Sequence, residues 1–389
     1  MKSKIFIVIF MFTTLLSACV SEFNAELPSN DVEILIVDGS IIENTDVTFY
    51  LSKSFPLNSQ YAPNENFNIL ANVSIIGSDG YKSPPAMYLG KGAYRISVGE
   101  LSDNVGYGIQ IDYNGNTYQS EFTKPVYTPE IDSVSWVQPE EKGEVFFRVS
   151  THDDSGESKF FIWNYVEDWE ITAHYFVYFF FNPDEYSFYY AYLPYYYCWR
   201  KNLSDKFLIG STESLSQSKI INKQLYGHFP TDSRFSNLYS VNVIQRAISK
   251  NAFEYYQNKI VLNDEMGGIF TPQPSELSGN IVCLSDPSKK VIGYVEAVKN
   301  TTQKRIYVSS NEITRPSRYF ECASITDDSL RTLLSEMRGN YVDAYALGYR
   351  PIAANPEGTP SEWAMVTCTE CTAIGGSKTK PDFWPNLHQ

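Results

Sequence analysis

Short runs of alternating apolar and polar residues, separated by residues that favour turns, fill the first third of the sequence. The clearest turn signal is Asn114-Gly115, which lies between two such runs. Type I′ turns need a positive φ at both central positions, so this pair predicts a hairpin. A period of two residues is typical of strands with one buried face. Residues 31–128 are therefore predicted to form an N-terminal β-sandwich of the immunoglobulin or transthyretin type.

The rest of the sequence, 129–389, predicts a larger β-rich domain with two covering helices. Ser249 is a candidate N-cap for a helix near 250–262, and Thr326 is one for a helix near 327–338. The apolar residues predicted to face the sheets are Ala252, Phe253, Tyr256 and Ile260 in the first helix, and Leu330, Leu333, Leu334 and Met337 in the second. The predicted fold class is therefore mainly β.

The N-terminus has the pattern of a lipoprotein signal. Residues 1–18 combine two lysines with the apolar run Ile5–Leu16, which is too short for a membrane-spanning helix of roughly 20 residues. Leu16-Ser17-Ala18-Cys19 resembles a bacterial lipobox, so Cys19 is predicted to carry the lipid and residues 19–30 to form a lipidated tether. The alternative is an ordinary signal peptide with a chance cysteine. The acids of the tether match a signal for display at the cell surface only in part. Display on the surface and display on the inner leaflet therefore both remain open.

The charge balance argues against nucleic acid as a partner. The chain has 31 Lys and Arg against 45 Asp and Glu, which gives a formal net charge of −14. Binding to a phosphate backbone depends on neutralisation by Lys and Arg. The acidic surface indicates solubility instead.

Five cysteines remain if Cys19 is lipidated. Cysteines of exported proteins tend to pair, so two bridges and one free thiol are expected. Cys283 lies in an apolar run typical of a buried strand and is predicted to be the free thiol. The candidates for disulfides are Cys198, Cys322, Cys368 and Cys371.

The C-terminal stretch CTECTAIGGSKTKPDFWP carries the motif Cys368-Thr369-Glu370-Cys371. A structural zinc site needs four ligands, and no second CxxC pair exists. A redox dithiol would begin a helix in a βαβ unit, which the pattern does not show. Gly375-Gly376-Ser377-Lys378 has the wrong spacing for a phosphate loop. Both cysteines are therefore predicted to pair with Cys322 and Cys198, in either order.

Signatures of catalysis are missing from the sequence. It contains neither H-E-x-x-H nor G-x-S-x-G, and its histidines are His152, His174, His228 and His388. Residues 153–157 form an acidic turn without the twelve-residue loop of an EF-hand, so a solvated turn is expected there. No catalytic residue, metal ligand or cofactor is predicted. Paired carboxylates remain open, because no pair stands out.

The segment from Tyr175 to Trp199 holds fifteen aromatic residues in twenty-five positions. Asn182-Pro183-Asp184-Glu185 supplies a turn, so two aromatic strands joined as a hairpin are predicted. Alternating strands cannot place all these rings inward. Most rings are expected in the core and some at an interface for a partner, a small ligand, a glycan or a peptide. The interface candidates are Tyr189, Tyr192, Tyr195, Tyr196 and Tyr197.

Several short motifs occur in an order that is similar to one protein family. They are the lipobox, Val37-Asp38-Gly39, Cys198-Trp199, Gly267-Gly268-Ile269-Phe270, Ser278-Gly279-Asn280-Ile281, Ile292-Gly293-Tyr294 and the C-terminal CxxC with Gly375-Gly376 and Lys380-Pro381-x-Phe383-Trp384-Pro385. Together they resemble a Bacteroidota lipoprotein family known as domain of unknown function 4249, over nearly the whole mature chain. The resemblance implies an outer-membrane lipoprotein, often encoded beside a TonB-dependent receptor. It implies no activity and no catalytic residues.

The expected function is therefore binding rather than catalysis. An outer-membrane lipoprotein that works with a TonB-dependent transporter in nutrient capture agrees with the predicted anchor, the sandwich and the resemblance. One alternative is a hydrolase of surface polymers that uses carboxylates. Another is a structural or envelope-assembly lipoprotein.

Overall fold

A computed structural model describes residues 34–54, 69–265, 279–316 and 322–387. The signal peptide, Cys19 and the tether that the sequence predicts lie outside these residues. The Gly267-Gly268-Ile269-Phe270 motif and His388 lie outside them too.

Two sheets form the predicted N-terminal sandwich. The first consists of β1 (Leu35–Asp38), β3 (Asp46–Lys53), β5 (Met87–Gly90), β6 (Ala93–Ser97) and β19 (Val291–Ile292), in the order β19-β1-β3-β6-β5. The second consists of β4 (Asn72–Gly77), β7 (Tyr107–Tyr113), β8 (Asn116–Ser120) and β18 (Ile281–Cys283), in the order β18-β8-β7-β4. Beside them, β2 (Ile41–Ile42) pairs with β20 (Ala297–Val298) in parallel.

The alternating pattern of the sequence determines which residues fill the sandwich. In β3, Val47, Phe49 and Leu51 are buried while the residues between them are not. Between β7 and β8, Asn114 has a φ of 50° and Gly115 a φ of 74°. The predicted type I′ hairpin is therefore confirmed.

Three strands of this region come from residues far beyond the predicted boundary at 128. β18 pairs antiparallel with β8, β19 pairs parallel with β1, and β20 pairs parallel with β2. Cys283 in β18 is buried and unpaired, which confirms the prediction for this thiol. Strands of two or three residues carry too little periodic pattern to be assigned to a distant sheet.

The central unit consists of a three-stranded and a five-stranded antiparallel sheet. The three-stranded sheet contains β9 (Ile131–Val137), β10 (Val145–His152) and β16 (Lys219–His228). The other contains β11 (Phe160–Thr172), β14 (Tyr197–Leu203), β15 (Leu208–Ser211), β17 (Leu238–Ile248) and β21 (Thr302–Ser309). A 3₁₀ helix, Ser233–Phe235, precedes β17. Fully buried rings of Phe147, Trp163 and Phe235 belong to the core of this unit.

The third unit contains most of the helices. Its sheet consists of β22 (Ser324–Thr326), β23 (Tyr349–Ala354) and β24 (Pro360–Met365), with β24 in the middle. The predicted aromatic hairpin, β12 (Phe179–Asn182) and β13 (Ser187–Tyr190), packs into this unit. The helices of the described residues are α1 (Lys250–Glu265), α2 (Asp327–Glu336), α3 (Tyr341–Ala346) and α4 (Val366–Thr369). The mainly β fold class is confirmed.

The two helices predicted from sequence are present with the predicted caps. The Ser249 hydroxyl accepts a bond from the Ala252 N–H at 3.2 Å in α1, and the Thr326 hydroxyl accepts one from the Ser329 N–H at 3.2 Å in α2. The predicted apolar stripe of the second helix is half wrong. Leu330 and Leu334 are buried, but Leu333 and Met337 are exposed. The reason is that Leu330 and Leu334 form the row of α2 that packs into the third unit, whereas Leu333 lies off this row and Met337 follows the last residue of the helix, Glu336.

Candidate functional site

Two disulfides tie the C-terminal stretch to distant parts of the chain. Cys198 in β14 is bonded to Cys371, and Cys322 is bonded to Cys368 in α4. The four cysteines that the sequence marked as candidates are therefore the four that pair, and the order left open is now defined. Both sulfurs of the CxxC motif are in bridges to other residues, so neither is a thiolate ligand or part of a dithiol.

The glycine pair after the motif has a packing role. Gly375 has a φ of 85°, a conformation that favours glycine. A Cβ on Gly376 would lie 2.4 Å from the Cβ of Cys198. The next residue, Ser377, then pairs with Trp199 through two backbone bonds of 2.8 Å. The Gly375-Gly376 sequence is explained by this close approach to the Cys198–Cys371 bridge.

This contact makes Gly376 sensitive to a single methyl group. We expect Gly376→Ala to lower the free energy of unfolding by about 1–3 kcal/mol, because the methyl overpacks a site bounded by backbone and a disulfide. Gly99→Ala is the matched control, since a Cβ at Gly99 meets no atom within 4 Å. Equilibrium denaturation of both variants measures the difference. Equal midpoints for the two alanine variants would contradict the packing role.

The β12–β13 hairpin places aromatic rings on both of its faces. Phe179 pairs with Tyr190 and Phe181 with Phe188, so these four rings share one face. Tyr186, between the strands, has a φ of 51° and completes the turn. The predicted aromatic hairpin is thus confirmed.

The inner rings anchor the hairpin to the third unit. Phe188 lies 5.5 Å from the Tyr341 ring and 6.1 Å from the Trp363 ring, measured between centroids. Asp327 accepts hydrogen bonds from the Tyr341 hydroxyl at 2.8 Å and from the Trp363 indole N–H at 2.9 Å. Buried aromatic rings with satisfied polar groups hold a fixed orientation. The hairpin is therefore a rigid support for the rings that it turns outward.

We call the exposed rings of this segment the aromatic surface, which includes both faces of the hairpin because the neighbours Tyr189 and Tyr190 point in opposite directions. It consists of Phe176, Tyr178, Tyr189, Tyr190 and Tyr192. Each ring is at least 41% exposed, and Tyr192 is 76% exposed. Phe176 lies 5.9 Å from Tyr192, and Tyr178 stacks on Tyr190 at 6.1 Å. Clusters of exposed aromatic rings mark interaction sites more often than single exposed residues do.

The five tyrosines predicted as interface candidates divide into two groups. Tyr189 and Tyr192 belong to the aromatic surface, whereas Tyr195, Tyr196 and Tyr197 are half-buried beneath it. Tyr196 supports the surface, because its ring lies 5.1 Å from that of Phe176. Phe176, Tyr178 and Tyr190 were not among the candidates. Their exposure depends on where each ring lies relative to the third unit, which the composition of the segment does not reveal.

The tyrosines at the base of the surface remain neutral. Burial raises the pKa of Tyr195 above its ordinary value, and the nearby Glu370 carboxylate adds to this effect. Burial also raises the pKa of Tyr197. The ammonium group of Lys378 lies 4.7 Å from the centroid of the Tyr195 ring. The base therefore offers protonated hydroxyl groups and one cation near the exposed rings.

A second feature, which the sequence analysis missed, is a buried carboxylate in the central unit. The Glu167 side chain is inaccessible to solvent. Its Oε1 lies 2.6 Å from His228 Nε2 and 3.2 Å from Arg234 Nε, and it accepts a bond of 2.7 Å from the Tyr239 hydroxyl. Its Oε2 accepts a bond of 2.8 Å from the Asn202 amide. In β11, Glu167 alternates with Tyr165 and Trp169 on the buried face, so the strand pattern itself places this acid in the core.

The partners of Glu167 hold it in the charged form. Burial alone would raise its pKa, but the bonds from His228 and Asn202 and the charge of His228 outweigh burial and lower the pKa. Both oxygens of this carboxylate are occupied by protein groups. The cluster therefore joins β11 to β14, β16, β17 and the 3₁₀ helix, and it has the character of a structural network.

The acidic turn and the exposed histidine beside it have structural partners. The Asp153 carboxylate accepts bonds from the backbone N–H of Ser155 at 3.1 Å and of Ser158 at 2.7 Å. His152 Nδ1 lies 2.7 Å from the Asp132 carboxylate, which raises the pKa of His152. In the part of the chain that the structure describes, no group of three His, Cys, Asp or Glu is placed to hold a metal ion.

Comparison with known proteins adds one finding. A family model described as "Domain of unknown function (DUF4249)" matches residues 20–304, more than two thirds of the chain. The match begins directly after Cys19 and ends before the C-terminal cysteines, so the resemblance expected over nearly the whole mature chain is confirmed only up to residue 304. A search of curated proteins finds no match. Among the described residues, no helix is both long enough and apolar enough to span a membrane.

Proposed function

We propose that this chain, which belongs to the DUF4249 family, is an outer-membrane lipoprotein that captures a nutrient together with a TonB-dependent transporter. Cys19 supplies the lipid anchor in this proposal. The aromatic surface docks on the transporter barrel. The chain acts by binding and passing on its cargo, so it needs no catalytic residue.

The observation that carries this proposal is the aromatic surface itself. Tyrosine and phenylalanine rings bury a large area at a low cost in conformational entropy, and interface hot spots are enriched in tyrosine. The rings stand on a hairpin that packs against Tyr341 and Trp363, so little order has to be gained on binding. Both bridges lie in the same region, since Cys198 follows Tyr197 directly and Cys368 accepts backbone bonds from His174 and Tyr175.

The proposal predicts that the aromatic surface is required for partner binding. We expect the triple variant Tyr189→Ser, Tyr190→Ser, Tyr192→Ser to lose a TonB-dependent transporter that co-purifies with the wild-type lipoprotein in mild detergent. The matched control replaces Tyr50, Tyr81 and Tyr127, which are also 48–57% exposed but lie outside the aromatic surface. Quantitative mass spectrometry of the purified material measures the ratio of transporter to lipoprotein.

Two results would contradict the proposal. The first is a wild-type lipoprotein that is recovered alone from its native membrane. The second is a transporter ratio that falls equally in both triple variants, because that result would reflect a general loss of exposed tyrosine rather than a defined docking surface.

A further inference from the structure

A cleft of about 440 Å³ lies between the sandwich and the central unit. One wall comes from the end of β1 and the start of β3, and it includes Asp38 and Asp46. The other wall comes from the central unit and α1, and it includes Arg246, Phe207 and Tyr256. Clefts of this size between two units are common binding sites for small molecules.

The guanidinium of Arg246, which also interacts with the Tyr256 hydroxyl, is only partly satisfied by the protein. Its Nη1 donates to the Ser40 hydroxyl at 2.7 Å, but its Nε is buried without a hydrogen-bond partner. No carboxylate of the described residues lies within the 4 Å of an ion pair with Arg246. A guanidinium offers two parallel N–H donors that match a carboxylate, and the pairing is stronger where water is scarce. Arg246 is therefore placed to receive an anionic group.

The charges of Glu296 and Arg246 interact, but the two side chains do not form an ion pair among the described residues. This side chain is 2% exposed, and burial raises its pKa despite the charge of Arg246. Its Oε2 accepts the backbone N–H of Ser249 at 3.1 Å, while its Oε1 has no partner among the described residues. Arg246 therefore lines the cleft without an ion-pair partner among the described residues.

The opposite wall selects against a purely anionic ligand. Asp38 and Asp46 are both exposed and carry negative charge into the same cleft as Arg246. A ligand with an ammonium group as well as a carboxylate gains from both walls, whereas a dianion is repelled by the acids. The half-buried Phe207 ring, whose centroid lies 5.2 Å from that of the buried Tyr256, adds an apolar surface for a side chain.

We propose that this cleft binds free amino acids or short peptides as zwitterions. The α-carboxylate pairs with Arg246, the α-ammonium group lies toward Asp38 and Asp46, and side chains contact Phe207 and Tyr256. The inference rests on the proposed capture function, because it names the class of cargo, but binding itself requires no transporter.

Titration calorimetry of the full-length chain in mild detergent tests the proposal with four dipeptides: Ala-Ala, Ala-Phe, Lys-Ala and Ala-Asp. We expect at least one to bind, and its C-terminal amide to bind at least about tenfold more weakly, which corresponds to about 1.4 kcal/mol. Arg246→Gln should weaken binding of the free acid by the same factor, and it should not weaken binding of the amide below the wild-type value. Asp38→Asn should weaken the free dipeptide but not its N-acetyl form.

Arg95→Gln is the matched control, because Arg95 is an exposed arginine on β6. It should bind all peptides as the wild type does. Thermal melts of each variant establish that the fold is retained. Asn164→Ala, at a third lining residue, gives a second test of the cleft if Arg246→Gln does not fold.

Three results would overturn the proposal. They are no binding by any of the four dipeptides up to about 10 mM, equal affinity for acid and amide, and unchanged affinity in folded Arg246→Gln. The transporter ratio of the same variants separates the two proposals. A wild-type chain that retains the transporter but binds no peptide removes the cargo inference alone, and peptide binding without a transporter removes the docking proposal alone.

Discussion

Removing the Cys198–Cys371 bridge is expected to lower the free energy of unfolding by about 3–5 kcal/mol, more than removing the Cys322–Cys368 bridge. The two bridges close sequence separations of 173 and 46 residues. In the chain-entropy model the longer loop gives the larger stabilisation, which is about 5 kcal/mol for Cys198–Cys371 and about 4 kcal/mol for Cys322–Cys368. Burial adds to the difference, since Cys198 and Cys371 are fully buried in the core of the central unit and their loss also disturbs its packing.

The measurement is equilibrium denaturation without reductant. The variants are the double substitutions Cys198→Ser with Cys371→Ser and Cys322→Ser with Cys368→Ser, which leave no unpaired partner to form a wrong bridge. Cys283→Ala is the control, because it removes a buried sulfur and keeps both bridges. If the shorter loop proves the more stabilising, local packing in the third unit, and not chain entropy, decides which bridge contributes more.

The stapling also bears on the aromatic surface. Cys198 follows Tyr197, and the carbonyl of Cys368 accepts backbone bonds from His174 at 2.9 Å and from Tyr175 at 2.9 Å. Both ends of the aromatic segment are therefore fixed at cysteines of the two bridges. A binding surface with fixed ends loses less conformational entropy when a partner binds.

Features with a local physical cause were predictable from the sequence. The Asn114-Gly115 turn requires positive φ at both positions, and only a few residue types supply it. Ser249 and Thr326 mark helix starts because their hydroxyl groups accept the free N–H groups of the first turn. The aromatic hairpin was predicted from a turn sequence between two aromatic runs, which is a local signal.

Features that depend on distant partners were not predictable. β18, β19 and β20 are two or three residues long and join strands more than 150 residues away. Arg246 and Asp38 share a cleft only because the sandwich and the central unit meet there. The exposure of a given ring could not be predicted either. Tyr190 and Phe179 pair on one face of the hairpin, but Tyr190 is 60% exposed and Phe179 is 2% exposed. Position relative to the third unit decides this, and alternation along the strand does not.

Glu167 is the other residue for which a large effect is expected. Glu167→Gln should lower the free energy of unfolding by about 3–5 kcal/mol at neutral pH, because it leaves a buried arrangement of Arg234 and His228 without its negative charge. Glu213→Gln is the matched control. Glu213 also forms an ion pair, 2.8 Å from Lys250, but at an exposed site where such pairs contribute about 0–1 kcal/mol.

The pH dependence of stability in the wild type and in Glu167→Gln distinguishes the effect of the Glu167 charge from the effect of its packing. The pKa of Glu167 lies below its ordinary value of 4.5 in the folded chain, so the folded state binds this proton less readily than the unfolded state. The stabilisation by Glu167 is therefore complete above about pH 4.5 and is lost as the pH falls through the folded pKa. The wild type should lose stability on acidification, and the difference from Glu167→Gln should shrink. Urea denaturation at a series of pH values measures this difference. If the difference were constant with pH, the loss in Glu167→Gln would come from the shape of the amide rather than from the missing charge, and the cluster would be a hydrogen-bond network in which ionisation has no part.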